Sequence, residues 1–170
     1  MRNVLRAGQL PALPPPLDTL LGDDARALAD IERESQRLFP DNVPILWECD
    51  ARSFAFHYIS ANAEAALGFS CRDWLQPMFW AEEVVYIEDR DDAVTYCSLA
   101  TAKGRDHMFE YRARAADGRI VWLRDYVRVV RDERGDVARL RGLMFDITGE
   151  KTAARNFVLE QRPSRAELRA

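Results

Sequence analysis

"FEYRARAADGRIVWLRD", residues 109–125, decides how the rest of the chain reads. The "ADG" at 116–118 sits between two runs rich in aromatic and branched residues, and Asp-Gly supplies the positive-φ turn of a β-hairpin. Working outward, this predicts long strands at about 106–115 and 119–131. "DERGD" (132–136) is a second glycine turn, and a third strand follows at 137–147. Upstream lies "EDRDDAVTYCSLATAK", 88–103, a helix with acidic residues in its first turn, Lys103 in its last and Gly104 just beyond. Earlier still, "NAEAAL" ends at Gly68, and Ser70 with Asp73 forms a capping-box pattern that starts a helical turn at Cys71. The runs Ile45–Cys49 and Phe54–Ser60, joined by "DARS", predict a first hairpin. Hairpins at both ends with helices between them imply an α+β fold, a five-stranded antiparallel sheet with helices on one side.

The outer segments frame this core. Residues 1–22 read as a proline-rich flexible leader of extended geometry, with "LPALPPPLD" at its centre. Residues 23–39 read as an amphipathic helix that either covers a sheet or pairs with its copy in a dimer, with Ile31 and Leu38 at the contact. The folded domain is expected over 40–148, and a C-terminal helix and tail over 149–170.

Bulk properties narrow the function. The chain has 170 residues, 48% hydrophobic and 31% charged, with a net charge of −4. That balance argues against a nucleic-acid partner, which calls for a basic surplus or a basic face. No apolar run is long enough to span a membrane, and the first residues lack a secretory signal, so the expected location is the cytoplasm. Three cysteines, Cys49, Cys71 and Cys97, are too few and too scattered for a disulfide framework or a zinc cluster. No phosphate-cradling glycine loop and no paired base and nucleophile stand out, so the expectation is a protein that is not an enzyme.

The element order and four stretches together resemble the PAS domain family, specifically its third fold subgroup. "FHYISANAEAALGFS" is similar to the family's S-x-N…G-Y/F-S segment, and "YIEDRDDAV" resembles its H-P-E-D-R helix start with Tyr86 and Ile87 replacing His and Pro. "FEYRARAADGRIVWLRD" resembles E-Y-R…D-G…W, and "RGDVARLRGLMFDITGEK" resembles G…G…D-I-T-x-x-K. The resemblance spans about residues 40–151. It implies a sensor or interaction unit of bacterial signal transduction, working as a homodimer or with a signalling partner. In the family the D-I-T junction passes strain outward, which makes Asp146 and Thr148 candidates for signal transfer. An ordinary helix cap there is the plainer alternative.

Cofactors are weighed through the same resemblance. "CRDWLQ" at 71–76 looks like the cysteine motif of flavin photoreceptors, but the position matching their reactive cysteine is Phe79. The positions matching their flavin-binding amides are about Ala113, Leu123 and Met144, which cannot hydrogen-bond a flavin's polar edge. Cys71 is then an N-terminal helix residue, or a redox thiol favoured by the dipole. Haem is disfavoured because the helix at 88–103 has no histidine, and both His57 and His107 fall on strands.

If the strands alternate as the family's do, Phe109, Tyr111, Leu123 and Met144 face inward. Tyr96 and Cys97 on the long helix would face them, with Phe79 or Trp80 closing one end. That lining suits a small apolar or planar ligand. A filled core is the alternative. Two functions stay open: a stand-alone small-molecule sensor, and a ligand-free dimerisation module. A third is the sensor remnant of a histidine kinase or diguanylate cyclase.

Overall fold

A computed structural model describes residues 15–160, with side chains described for 17–155. Strands β1 (Ile45–Asp50), β2 (Phe56–Ile59), β3 (His107–Arg114), β4 (Ile120–Arg131) and β5 (Val137–Asp146) form one sheet in the order β2-β1-β5-β4-β3. Every pairing is antiparallel. The first hairpin is thus stitched to the last three strands through β1 and β5, where Trp47 pairs with Gly142. The turns follow from glycine chemistry: Gly118 and Gly135 both adopt φ +86° between β3, β4 and β5.

The helices are α1 (Pro15–Leu21), α2 (Leu28–Leu38), α3 (Asn62–Leu67), α4 (Cys71–Trp74), α5 (Arg90–Ala102) and α6 (Thr148–Glu160). Gly68 closes α3 at φ +77°, and the Ser70–Asp73 capping box opens α4 with both reciprocal bonds formed. A π-helical turn spans Trp80–Val84.

Period-2 alternation divides the sheet into two faces. Ile45, Trp47, Cys49, Phe109, Tyr111, Leu123, Leu140 and Met144 point inward and bury against α3, α4, the π turn and α5. Leu46, Leu143 and Phe145 point outward and bury under α1 and α2, together with Leu17, Leu20, Leu21 and Ile31. Residues 1–14 of the expected extended leader lie outside the described residues. Pro15–Leu21 is a helix instead, because Leu17, Leu20 and Leu21 make one apolar stripe for the sheet and Pro15 is tolerated in a first turn.

Of the two roles expected of the 23–39 helix, α2 takes that of covering the sheet. Ile31 is 0% exposed and committed to the sheet of its own chain, while Leu38 is 41% exposed. The turn before α2 is fixed by arginines of the outer face. Arg141 Nη1 donates to Asp23 O at 3.2 Å, and Arg128 Nη2 donates to Gly22 O at 3.0 Å.

Candidate functional site

The inner face carries two adjoining pockets, an outer and an inner chamber with walls in common. The outer chamber holds about 60 Å³ and is lined by Ser53, Phe54, Phe56, Gln76, Met78, Phe79, Trp80, Ala81, Val94, Cys97 and Ser98. The inner chamber holds about 20 Å³ and shares Phe54, Phe56, Trp80 and Cys97 with the outer one. Its remaining walls are Trp47, Cys49, Phe109, Leu140 and Asp125.

Asp125 is the unexpected member. It stands on β4 between the inward residues Leu123 and Val127, and it is 1% exposed. Its Oδ1 accepts from Trp47 Nε1 at 2.9 Å, the carboxyl's one hydrogen bond among the described residues. Burial pushes its pKa up to about 8, against the opposing pull of the Trp47 bond. The surrounding thiols stay protonated for the same reason. Burial pushes Cys97 up to about 12 and Cys49 higher still, with the nearby acidic groups adding to both. Tyr111 is likewise pushed up by burial. Its hydroxyl accepts from Trp80 Nε1 at 3.0 Å and donates to Met144 Sδ at 3.7 Å.

His107 is buried, and burial lowers its pKa. Its Nδ1 lies 3.0 Å from Arg105 O, so Nδ1 carries the proton and donates. Nε2, 3.4 Å from Cys97 Sγ, is then the acceptor of the thiol proton. His57 lies on the outer face, where its Nε2 is 2.8 Å from Glu48. Burial would raise the Glu48 pKa. The hydrogen bonds from His57 and Arg141 and the charges of Arg141 and Arg139 outweigh it and hold the carboxyl low.

The expected lining residues separate into two groups. Phe79, Trp80, Cys97 and Phe109 line the chambers. Tyr96, Tyr111, Leu123 and Met144 do not: Tyr96 packs edge-on to His107, and the Trp80–Tyr111–Met144 chain fills the space behind the wall. The space is therefore smaller than the aromatic content alone suggests. A signal for Asp125 was present in the sequence, since an inward Leu123 makes the residue two positions on inward as well. Trp47, Phe54 and Phe56 come from the first hairpin and carry no comparable signal.

Unusual backbone gathers at the mouth. Phe54 at φ +56° and Met78 at φ +61° are the non-glycine residues in the left-handed region among those described, and both line the outer chamber. Phe54 lies ahead of β2, not within it as the expected strand had it, because an extended strand cannot include that dihedral. The π turn begins at Trp80 on the same rim. Strained dihedrals and π turns concentrate at ligand clamps.

The exit junction lies on the outer face. Asp146 Oδ1 accepts from Thr148 N at 2.8 Å, a cap at the start of α6. Thr148 Oγ1 accepts from Trp122 N of β4 at 2.9 Å. Lys151 of α6 pairs with Glu110 and lies over the Trp122 ring, and Arg124 Nη2 reaches Glu150 at 3.0 Å. The two family motifs flanking α5 are joined as well, by Arg112 bonding to Asp89 through Nε at 3.0 Å and through its backbone N–H at 2.9 Å.

Comparison with known proteins agrees with this architecture. The sequence profile of the family described as PAS fold matches residues 56–144, over half of the chain, and the protein belongs to that family. It is similar to the N-terminal domain of a diguanylate cyclase with PAS/PAC sensor from Marinobacter aquaeolei, at 40% identity over 64% of this chain and 98% of that one, TM-score 0.60. A sensory box histidine kinase/response regulator from Burkholderia thailandensis matches in fold at 20% identity over 79% of this chain and 96% of that one, TM-score 0.59. The methyl sulfide methyltransferase-associated sensor of Methanosarcina acetivorans is 27% identical over 150 residues. That match takes in 84% of this chain, which spans 15% of the length of that relative. No helix among the described residues is long and apolar enough to cross a membrane.

Proposed function

We propose that the chain is a non-enzymatic sensor module that binds a small molecule in the two-chambered cavity and passes the change through the sheet to α6 and the N-terminal helices. One observation carries this reading: the cavity mouth is formed where Phe54, Met78 and the π turn depart from ordinary backbone. Such departures persist only where surrounding packing holds them, and a ligand that relaxes or tightens them shifts a population of conformations. The sensor relatives support the same role. The chamber volumes favour a ligand of few heavy atoms, and a flavin or haem would enter only by repacking the core. A homodimer through α2 would use Leu38 and the exposed face of the helix, since Ile31 is already covered.

A second reading has its own support. Most of the inner face is filled, and an open apolar groove of about 250 Å³ lies on the outer face between Leu17, Phe39, Tyr126, Phe145 and Ile147. This favours an interaction module without a ligand. Native mass spectrometry of freshly purified protein, followed by a metabolite screen read as thermal shift and as hydrogen exchange at residues 146–155, separates the two. A ligand that raises the Tm and changes exchange at the α6 junction is expected. A screen in which no compound moves either quantity would sink the sensor reading.

A further inference from the structure

Each titratable group lining or backing the inner chamber is either an acid held protonated or a histidine held neutral. Asp125 comes from β4, Cys49 from β1 and Cys97 from α5, with Tyr111 and His107 of β3 packed behind the wall. The basic residues of the same strands face away. Arg139 and Arg141 pair with Glu48, Arg124 with Glu110 and Glu150, and Arg128 with Asp24 and Asp106. A fully buried carboxyl with one neutral donor has acceptor capacity to spare, which a protein group, a water or a bound ion can fill. The other walls narrow that choice. Trp47, Phe56, Trp80 and Phe109 line the same chamber as the carboxyl, and the side chains lining it include no cation. An ionised carboxylate in an apolar lining without a cation attracts a cation and repels an anion.

The volumes set the size. The inner chamber has room for a group of about the size of one water, and the outer chamber for a short hydrocarbon chain. Resting on the reading of the cavity as a ligand site, we infer that the inner chamber receives the charged nitrogen of a small organic ammonium ion. The nitrogen sits against the Asp125 carboxylate, and the alkyl substituent extends past Trp80 towards Met78 and Gln76. Binding has a proton balance: the neutral Asp125 carboxyl gives up its O–H proton to solvent, and the ammonium ion replaces it as counter-charge. One proton is released per ligand bound while the free protein holds that proton.

Isothermal titration with n-butylammonium chloride tests this, with 1-butanol as the neutral probe of similar shape. The expected result is saturable binding of n-butylammonium at least tenfold tighter than 1-butanol, with about one proton released, read from buffers of different ionisation enthalpy. Affinity should rise about tenfold per pH unit below pH 8 and level off above it. Asp125→Asn, which keeps an acceptor for Trp47, should weaken binding at least tenfold and remove the pH dependence. The pH profile of the unsubstituted protein decides alone if that variant does not fold. Equal or tighter binding of 1-butanol, or a flat pH profile, overturns the ammonium inference and leaves the small-molecule sensor standing. No saturable binding of either probe overturns the inference and counts against the cavity as a ligand site.

Discussion

Asp125 is an acid buried from solvent with the Trp47 indole N–H as its hydrogen-bond donor. Its pKa of about 8 lies above the unfolded value of 3.8, so the folded chain keeps a proton that the unfolded chain releases. The stability this contributes is complete below pH 4 and is lost as pH rises towards 8, at up to about 1.4 kcal/mol per pH unit. Glu48 and Glu110 act in the opposite sense. Their lowered pKa values give stability that is present above 4.5 and lost as pH falls. Urea denaturation of the protein and of Asp125→Asn between pH 5 and 9 should show a stability difference that shrinks with rising pH. A constant difference would mean that Asp125 is ionised throughout. Gly142 makes a second residue-scale prediction. A Cβ there would overlap the Trp47 indole that bonds to Asp125. Gly142→Ala should cost about 1–3 kcal/mol by overpacking, with a shift in tryptophan emission. An unshifted spectrum at full stability would show that Trp47 does not rest on that strand.

At the scale of elements, the legible parts were those written locally. The Gly68 cap, the Ser70–Asp73 box and the Asp117-Gly118 turn each depend on residues within a few positions, and each forms as the sequence predicts. The rim of the cavity was not legible. Phe54 and Met78 hold left-handed dihedrals that no local propensity favours, so only the surrounding packing can fix them. The two should respond differently to glycine. Met78 is exposed, so Met78→Gly loses little contact and should leave stability unchanged or raise it by up to about 1 kcal/mol. Phe54 packs against the core cluster, and Phe54→Gly should lose about 2 kcal/mol or more despite the relieved dihedral. Chemical denaturation of both variants checks this. A loss at Met78→Gly as large as at Phe54→Gly would mean that the Met78 side chain also closes the cavity.

For the whole molecule, both faces of one sheet are occupied, by α3, α4, the π turn and α5 on one side and by α1 and α2 on the other. The proline-rich opening gave no hint of the second layer, because Leu17, Leu20 and Leu21 form a stripe only once the chain becomes helical. Leu20 is fully buried among Ile31, Leu46 and Leu143. Leu20→Ala should therefore cost about 2–5 kcal/mol in urea denaturation. A cost below about 0.5 kcal/mol would show that α1 is not docked. β4 belongs to both layers at once. Asp125 looks into the cavity, while its chain neighbours Arg124 and Tyr126 look out onto Glu150 and Phe145 beside α6. An event at Asp125 and an event at the exit helix are thus separated by a single peptide unit. Under the proposed sensor reading, input and output would share one piece of backbone, and a substitution meant to disconnect them would have no intervening relay to cut.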